Sequence, residues 1–283
     1  MFRKIFLNQS SFAALILFLI IFVIDLGTLY NINILSPKLA RDFLAVVGLI
    51  LLLNGIIRWS YNISIYRKIK NILVSILFIF IINFFLSSNS RQPVSLKNLI
   101  ISTAFSLISI FLLMIIFALI RELIFVQRRK STNRNFNLLF VLLVCFSFFV
   151  KPTQLPSDLK FLPPVTSVMS TWQNIVTLML TILTIYLIVI NSFRIQWIKF
   201  VNKKEKIKTL FISLLIIALL VWWHAKGIIV AANYSLIVSS FFYVATIFIT
   251  IYFSVSALVI LLHLPTAGLY DRRVNELSSL HNL

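Results

Sequence analysis

Between Lys97 and Arg121 the chain reads NLIISTAFSLISIFLLMIIFALI (residues 98–120), 23 residues without one ionisable side chain. The hydrocarbon layer of a bilayer is about 30 Å thick and takes roughly 20 helical residues to cross. A run of that length with a cation at each border is expected to cross a membrane, and hydrocarbon offers its backbone no water, so it must be a helix. Working outward, seven more apolar runs bounded by charge or turn residues lie at 11–30, 42–57, 71–87, 136–150, 171–193, 209–224 and 233–262. Nothing shows the ten-residue alternation of an outer-membrane barrel. The expected fold is an all-α polytopic helical bundle of about eight transmembrane helices. The run at 136–150 is short, the last is long, and the seventh runs on past His224 and Lys226, which leaves seven or nine crossings as alternatives.

Composition excludes the soluble alternative. Of 283 residues 60% are hydrophobic and 12% charged, against about 25% charged in an ordinary soluble domain. Arg3 and Lys4 before the first run resemble the start of a secretory leader, but Asp25 to Tyr30 lacks the small-x-small cleavage pattern, so the run is expected to stay as the first span. Bases outnumber acids 26 to 7. They are not spread as a nucleic-acid surface would spread them; they cluster between apolar runs. With the N-terminus inside, 19 of the 26 bases fall on the inner side and 7 on the outer. That bias predicts both termini in the cytoplasm, a bacterial inner membrane, no nucleic-acid partner, and inner loops, above all Arg194 to Lys208, against anionic headgroups. The five tryptophans Trp59, Trp172, Trp197, Trp222 and Trp223 stand at or just past span ends, as an interfacial aromatic belt would place them.

Chemistry-bearing patterns are sparse. Cys145 is the single cysteine and lies in an apolar run; His224, His263 and His281 are scattered with no i, i+4 pair; no phosphate-cradling glycine loop and no nucleophile, base and acid set is present. No metal, cofactor or catalytic residue is expected. Three intramembrane polar positions, Asp25, Asn54 and Asn83, read either as lining for a hydrated path or as interfacial and interhelical groups, and Asn191 reads as interhelical. Glu122 beside Arg121 and Asp42 beside Arg41 read as boundary charges. Trp222, Trp223, His224 and Lys226 read as an external recognition patch or as part of the belt. The aromatics Phe241, Phe242, Tyr243, Phe248, Tyr252 and Phe253 line a ligand cavity or, more commonly, pack. A proline-rich outer loop from Lys151 to Ser170, with Pro152, Pro156, Pro163 and Pro164, forbids regular helix through its middle.

The last 20 residues change character. Pro265 is expected to stop or kink the last helix, and the polar stretch beyond it carries Tyr270, Val274 and Leu277 at intervals of 4 and 3, with Arg272 and Glu276 placed as an i, i+4 pair. That stripe predicts the start of an amphipathic or coiled-coil helix over 265–283, distinct from the multi-span domain 1–264, and the pattern predicts that the helix continues past Leu283. The run Leu264, Pro265, Thr266 through Asp271, Arg272, Arg273 to Glu276, Leu277 and Leu280 resembles the juxtamembrane exit of multi-span bacterial signalling proteins, those with a GAF domain and SpoIIE-like serine phosphatase or with a histidine kinase. The resemblance implies a sensory input module that dimerises through this helix and relays a signal to cytoplasmic output outside this chain. Pro265, Tyr270, Val274 and Leu277 would then be the relay. A transporter or channel component, and a structural membrane subunit without its own activity, are the alternatives.

Overall fold

The computed structural model describes residues 9–29, 37–60, 63–89, 96–126, 130–149, 171–226 and 236–281, side chains in several end turns excepted. Its regular structure is helical throughout: α1 (Gln9–Leu29), α2 (Pro37–Ser60), α3 (Ile65–Asn89), α4 (Leu96–Ile124), α5 (Lys130–Phe149), α6 (Thr171–Ser192), a short 3-10 helix η1 (Gln196–Phe200), α7 (Lys203–Lys226) and α8 (Leu236–His281). Each of the eight α-helices contains or nearly coincides with one apolar run of the sequence. Four segments are long and apolar enough to cross a membrane: Ala104–Ile124, Leu178–Phe200, Lys203–His224 and Ser240–Leu262. Within the described residues the apolar parts of α1, α2 and α5 are shorter, at Gln9–Ile24, Phe43–Ile57 and Arg134–Cys145. Among the described residues there are eight α-helices but only four segments of crossing length, so the expected count of eight crossings is not supported.

Burial shows how a chain this apolar packs. Inside, α4 is the centre, with every residue from Leu113 to Ile120 buried, and it packs on α2, α3 and η1. The other hub is α8, which packs on α2, α5, α6 and α7. Phe117 of α4 fills the space between the hubs: its ring lies 5.8 Å from Phe241 and 5.8 Å from Phe248 of α8, and 6.0 Å from Phe140 of α5. Outside, large apolar side chains are exposed along whole helices, among them Phe12, Leu19 and Val23 on α1, Met179, Ile182 and Ile185 on α6, and Phe211 and Leu214 on α7. Water would penalise that exterior, whereas lipid tails match it. Small hydroxyl residues sit inside instead, including Ser75, Ser106, Ser109, Thr184, Ser213 and Ser256. Small polar residues at helix interfaces are the packing habit of membrane bundles. The protein is an integral membrane helical bundle.

Two departures from the sequence reading stand out. First, α8 does not stop at Pro265; it runs unbroken for 46 residues, about 69 Å at 1.5 Å per residue. Proline removes only the bond that its own N–H would give to the carbonyl of Leu261, and the turns on either side keep theirs. Second, the chain between α6 and α7 is no simple loop. It folds into η1, whose three-residue period places Ile195, Ile198 and Val201 on one buried face.

Candidate functional site

Four contacts show which helix ends lie together. Lys68, one turn into α3, meets Glu122 near the end of α4, with Nζ 3.8 Å from Oε2. Phe117 of α4 and Phe136 of α5 have ring centres 6.4 Å apart. Asn191, at the end of α6, donates from Nδ2 to the carbonyl of Asn135 at the start of α5, at 3.4 Å. Trp197 of η1, fully buried, donates from Nε1 to Oη of the fully buried Tyr252 of α8, at 2.9 Å. The start of α3, the end of α4, the start of α5, the end of α6 and η1 therefore share one end of the bundle. At the other, Phe80 of α3 meets Trp222 of α7 with ring centres 4.8 Å apart, and His224 of α7 lies edge-on to Tyr243 of α8 at 5.3 Å. Among the described residues, most of the bases lie at the first end.

That basic end holds a buried ionic cluster. Arg121 donates from Nη1 to Oε1 of Glu122 at 3.2 Å, and its guanidinium stands 4.5 Å from the centre of the Phe125 ring. Two cations thus share one carboxylate, with 7% of the Lys68 side chain and 11% of the Glu122 side chain exposed. Burial pushes the Lys68 ammonium below its usual range, and the charge of Glu122 pulls it part of the way back. The arrangement locks α3 to α4 and gives no nucleophile or proton path. Among the described residues, no group of three or more His, Cys, Asp and Glu is placed to hold a metal ion.

Next to the cluster, the segment from Phe193 to Lys208 has two faces. The helix α6 ends where Phe193 N–H bonds the carbonyl of Val189 and Arg194 N–H that of Asn191. In η1 the N–H of Ile198 bonds the carbonyl of Ile195 at 3.2 Å, and α7 opens with Lys206 N–H on the carbonyl of Asn202 at 2.8 Å. Ile195, Trp197, Ile198 and Val201 face the bundle. Gln196, Lys199, Asn202, Lys203 and Lys204 are exposed, as are Phe193 at 67% and Phe200 at 62%.

The residues singled out from sequence do not converge. Trp222 is half exposed while Trp223 is buried, with no hydrogen-bond partner for its Nε1, so these two residues of the expected external patch face different sides of α7. The buried state of Trp197 and Trp223 corrects the belt reading for both: each packs in protein. Asn54 is exposed on α2. The aromatics Phe241, Phe242, Phe248, Tyr252 and Phe253 pack as core around Phe117 and one another. Asn191 is interhelical, as expected, with a second bond to the carbonyl of Leu187 at 2.8 Å. The side chains of Asp25, Asn83, Lys226, Pro265, Tyr270, Val274 and Leu277 lie outside the described residues, as does the proline-rich loop 151–170. Sequence reasoning missed the Lys68 to Glu122 pair and the Trp197 to Tyr252 bond. The first has no local signal, its partners being 54 residues apart; the second was foreshadowed by the i, i+3, i+6 spacing of Ile195, Ile198 and Val201. No protein-family model, curated protein or solved structure matches the chain.

Proposed function

We propose that this chain is the membrane input module of a bacterial signal-transduction protein, with both termini in the cytoplasm of the inner membrane and α8 as its output rod. One observation carries the reading: the helix that is a hub of the bundle continues without interruption for 19 residues beyond its apolar segment Ser240–Leu262, about 28 Å of extra helix. A helix packed on α2, α5, α6 and α7 and continuing this far would carry a shift at its apolar half along to its C-terminal half. The basic end of the bundle, where η1 meets α8, is the cytoplasmic end on this reading, by the preference of retained loops for bases. The shorter helices α1, α2 and α5, and α3 with its cationic first turns, also enter the bilayer, giving eight crossings. Two copies pair in parallel along residues 265–283, where Tyr270, Val274 and Leu277 form a heptad-like stripe.

The relay needs a two-state element and a ligand or membrane state that favours one arrangement; rotation or sliding of the α8 pair supplies the first. The test is a register series: a histidine-kinase core is fused after Leu283 with zero to seven inserted residues, and its autophosphorylation is measured in membranes. The expected result is activity that rises and falls with the helical repeat and shifts phase when Pro265 is changed to Ala. Activity independent of register, and unchanged by Pro265→Ala, overturns the relay. Flux through proteoliposomes that Asp25→Asn abolishes would favour the transporter reading instead.

A further inference from the structure

We infer that the outer face of η1 and the first turn of α7 is a docking surface for anionic phospholipid headgroups, with Phe193 and Phe200 seated at the acyl boundary. It rests on the reading that the basic end of the bundle faces the anionic cytoplasmic leaflet. The inward face of the segment is committed: Ile195, Trp197, Ile198 and Val201 are buried against the bundle. Among the described residues no element covers the outward face, and its chemistry is specific. Phe193 and Phe200, each about two-thirds exposed, stand among exposed Lys199, Lys203 and Lys204, and Lys208 follows one turn later. From Phe193 to Lys208 there are six bases and one acid, Glu205.

Exposing aromatic rings of this kind to water is unfavourable, and lysines beside them are attracted to a surface that is both negative and apolar just beneath. A nucleic acid offers the negative charge without the apolar layer. A neutral membrane offers the layer without the charge. The anionic leaflet offers both. The surface also has a route to the rest of the molecule, because Trp197, on the reverse side of the same turn, is hydrogen-bonded to Tyr252 of α8. A headgroup drawn onto Lys199 and Lys203 therefore bears on the helix proposed to carry output.

The test uses the full chain in nanodiscs with an environment-sensitive fluorophore on Gln196→Cys in a Cys145→Ser background; residue 196 is exposed and its replacement leaves every docking residue in place. Quenching by acrylamide from water and by brominated phosphatidylcholine from the bilayer is compared in discs of phosphatidylcholine alone and with phosphatidylglycerol added. The expected result is that phosphatidylglycerol lowers acrylamide quenching and raises bromine quenching, and that the response is lost in Lys199→Gln, Lys203→Gln, Lys204→Gln protein and weakened in Phe200→Ser. Each lysine removed should cost about fivefold in the phosphatidylglycerol fraction needed. Equal quenching in the two discs overturns the proposal, as does a phosphatidylglycerol response that survives the triple variant. Shielding by polyuridylate in neutral discs, with no phosphatidylglycerol response, overturns it in favour of nucleic acid. Quenching at residue 196 is read independently of any output, so docking can fail while the register series succeeds, and the reverse.

Discussion

Glu122 sits between two cations, Lys68 at 3.8 Å and Arg121 at 3.2 Å, and that imbalance makes the three residues unequal. Removing the carboxylate leaves the nearly buried Lys68 ammonium without its counter-charge, so Glu122→Gln should destabilise the bundle by about 3–5 kcal/mol. Removing Lys68 leaves Glu122 with Arg121, and Lys68→Met should be close to neutral; thermal unfolding in detergent ranks the two. Because burial holds the folded-state pKa of Lys68 below its usual 10.5, the charged form is what costs stability. Below the folded pKa that cost is fully present, and it disappears as pH rises through that pKa towards 10.5. The wild-type unfolding midpoint should accordingly rise over this alkaline window relative to Lys68→Met; a midpoint that falls there would mean that the pair outweighs the burial cost. Tyr252→Phe is nearly isosteric and strips the Trp197 indole of its acceptor, which should cost about 1–3 kcal/mol. Trp197→Phe on top of it should add less than it costs alone. The sequence makes Arg121 and Glu122 visible as border residues, yet their partner is set by the approach of α3 to α4, which no local spacing records.

Among the elements, α1 and α2 owe their close approach to two glycines seven residues apart. A Cβ at Gly48 would stand 3.0 Å from Phe18 Cζ, and one at Gly55 would overlap Ser11 Oγ. Gly55→Ala should therefore push the helices apart and cost about 1–3 kcal/mol, and Ser11→Gly should recover part of the loss, a coupling that a double-mutant cycle measures. The apolar runs announce these helices because lipid leaves the backbone no other choice; their partners are decided by small residues and ring shapes, which hydropathy does not weigh. The same limit explains η1, where five residues of 3-10 helix are too short to give an apolar run and Trp197 looks like an interfacial anchor until its hydrogen bond to Tyr252 is seen. It also explains Pro265. Read alone it marks a stop, but a helix held by packing over Ser240–Leu262 tolerates the loss of one bond.

For the whole molecule, the alternation of bases along the sequence has a three-dimensional counterpart: the contacts Lys68 to Glu122, Phe117 to Phe136, Asn191 to Asn135 and Trp197 to Tyr252 tie the base-rich helix ends together. A membrane-impermeant maleimide applied to intact cells should label Ser157→Cys in the proline-rich loop and spare Lys204→Cys, each in a Cys145→Ser background. Labelling of Lys204→Cys with Ser157→Cys spared would invert the orientation and remove the cytoplasmic reading of α8. Charge and hydropathy made the class of fold and the grouping of ends legible in the sequence; the span count and the function rest on features that composition carries weakly. The claim on which the functional account depends is that α8 leaves the bundle as one continuous rod. Spin labels at Leu258→Cys and Ser278→Cys in a Cys145→Ser background, measured by pulsed dipolar spectroscopy in nanodiscs, test it directly. Twenty residues of unbroken helix predict a narrow distribution near about 30 Å; a broad distribution centred well below that would show a break near Pro265 and contradict the account.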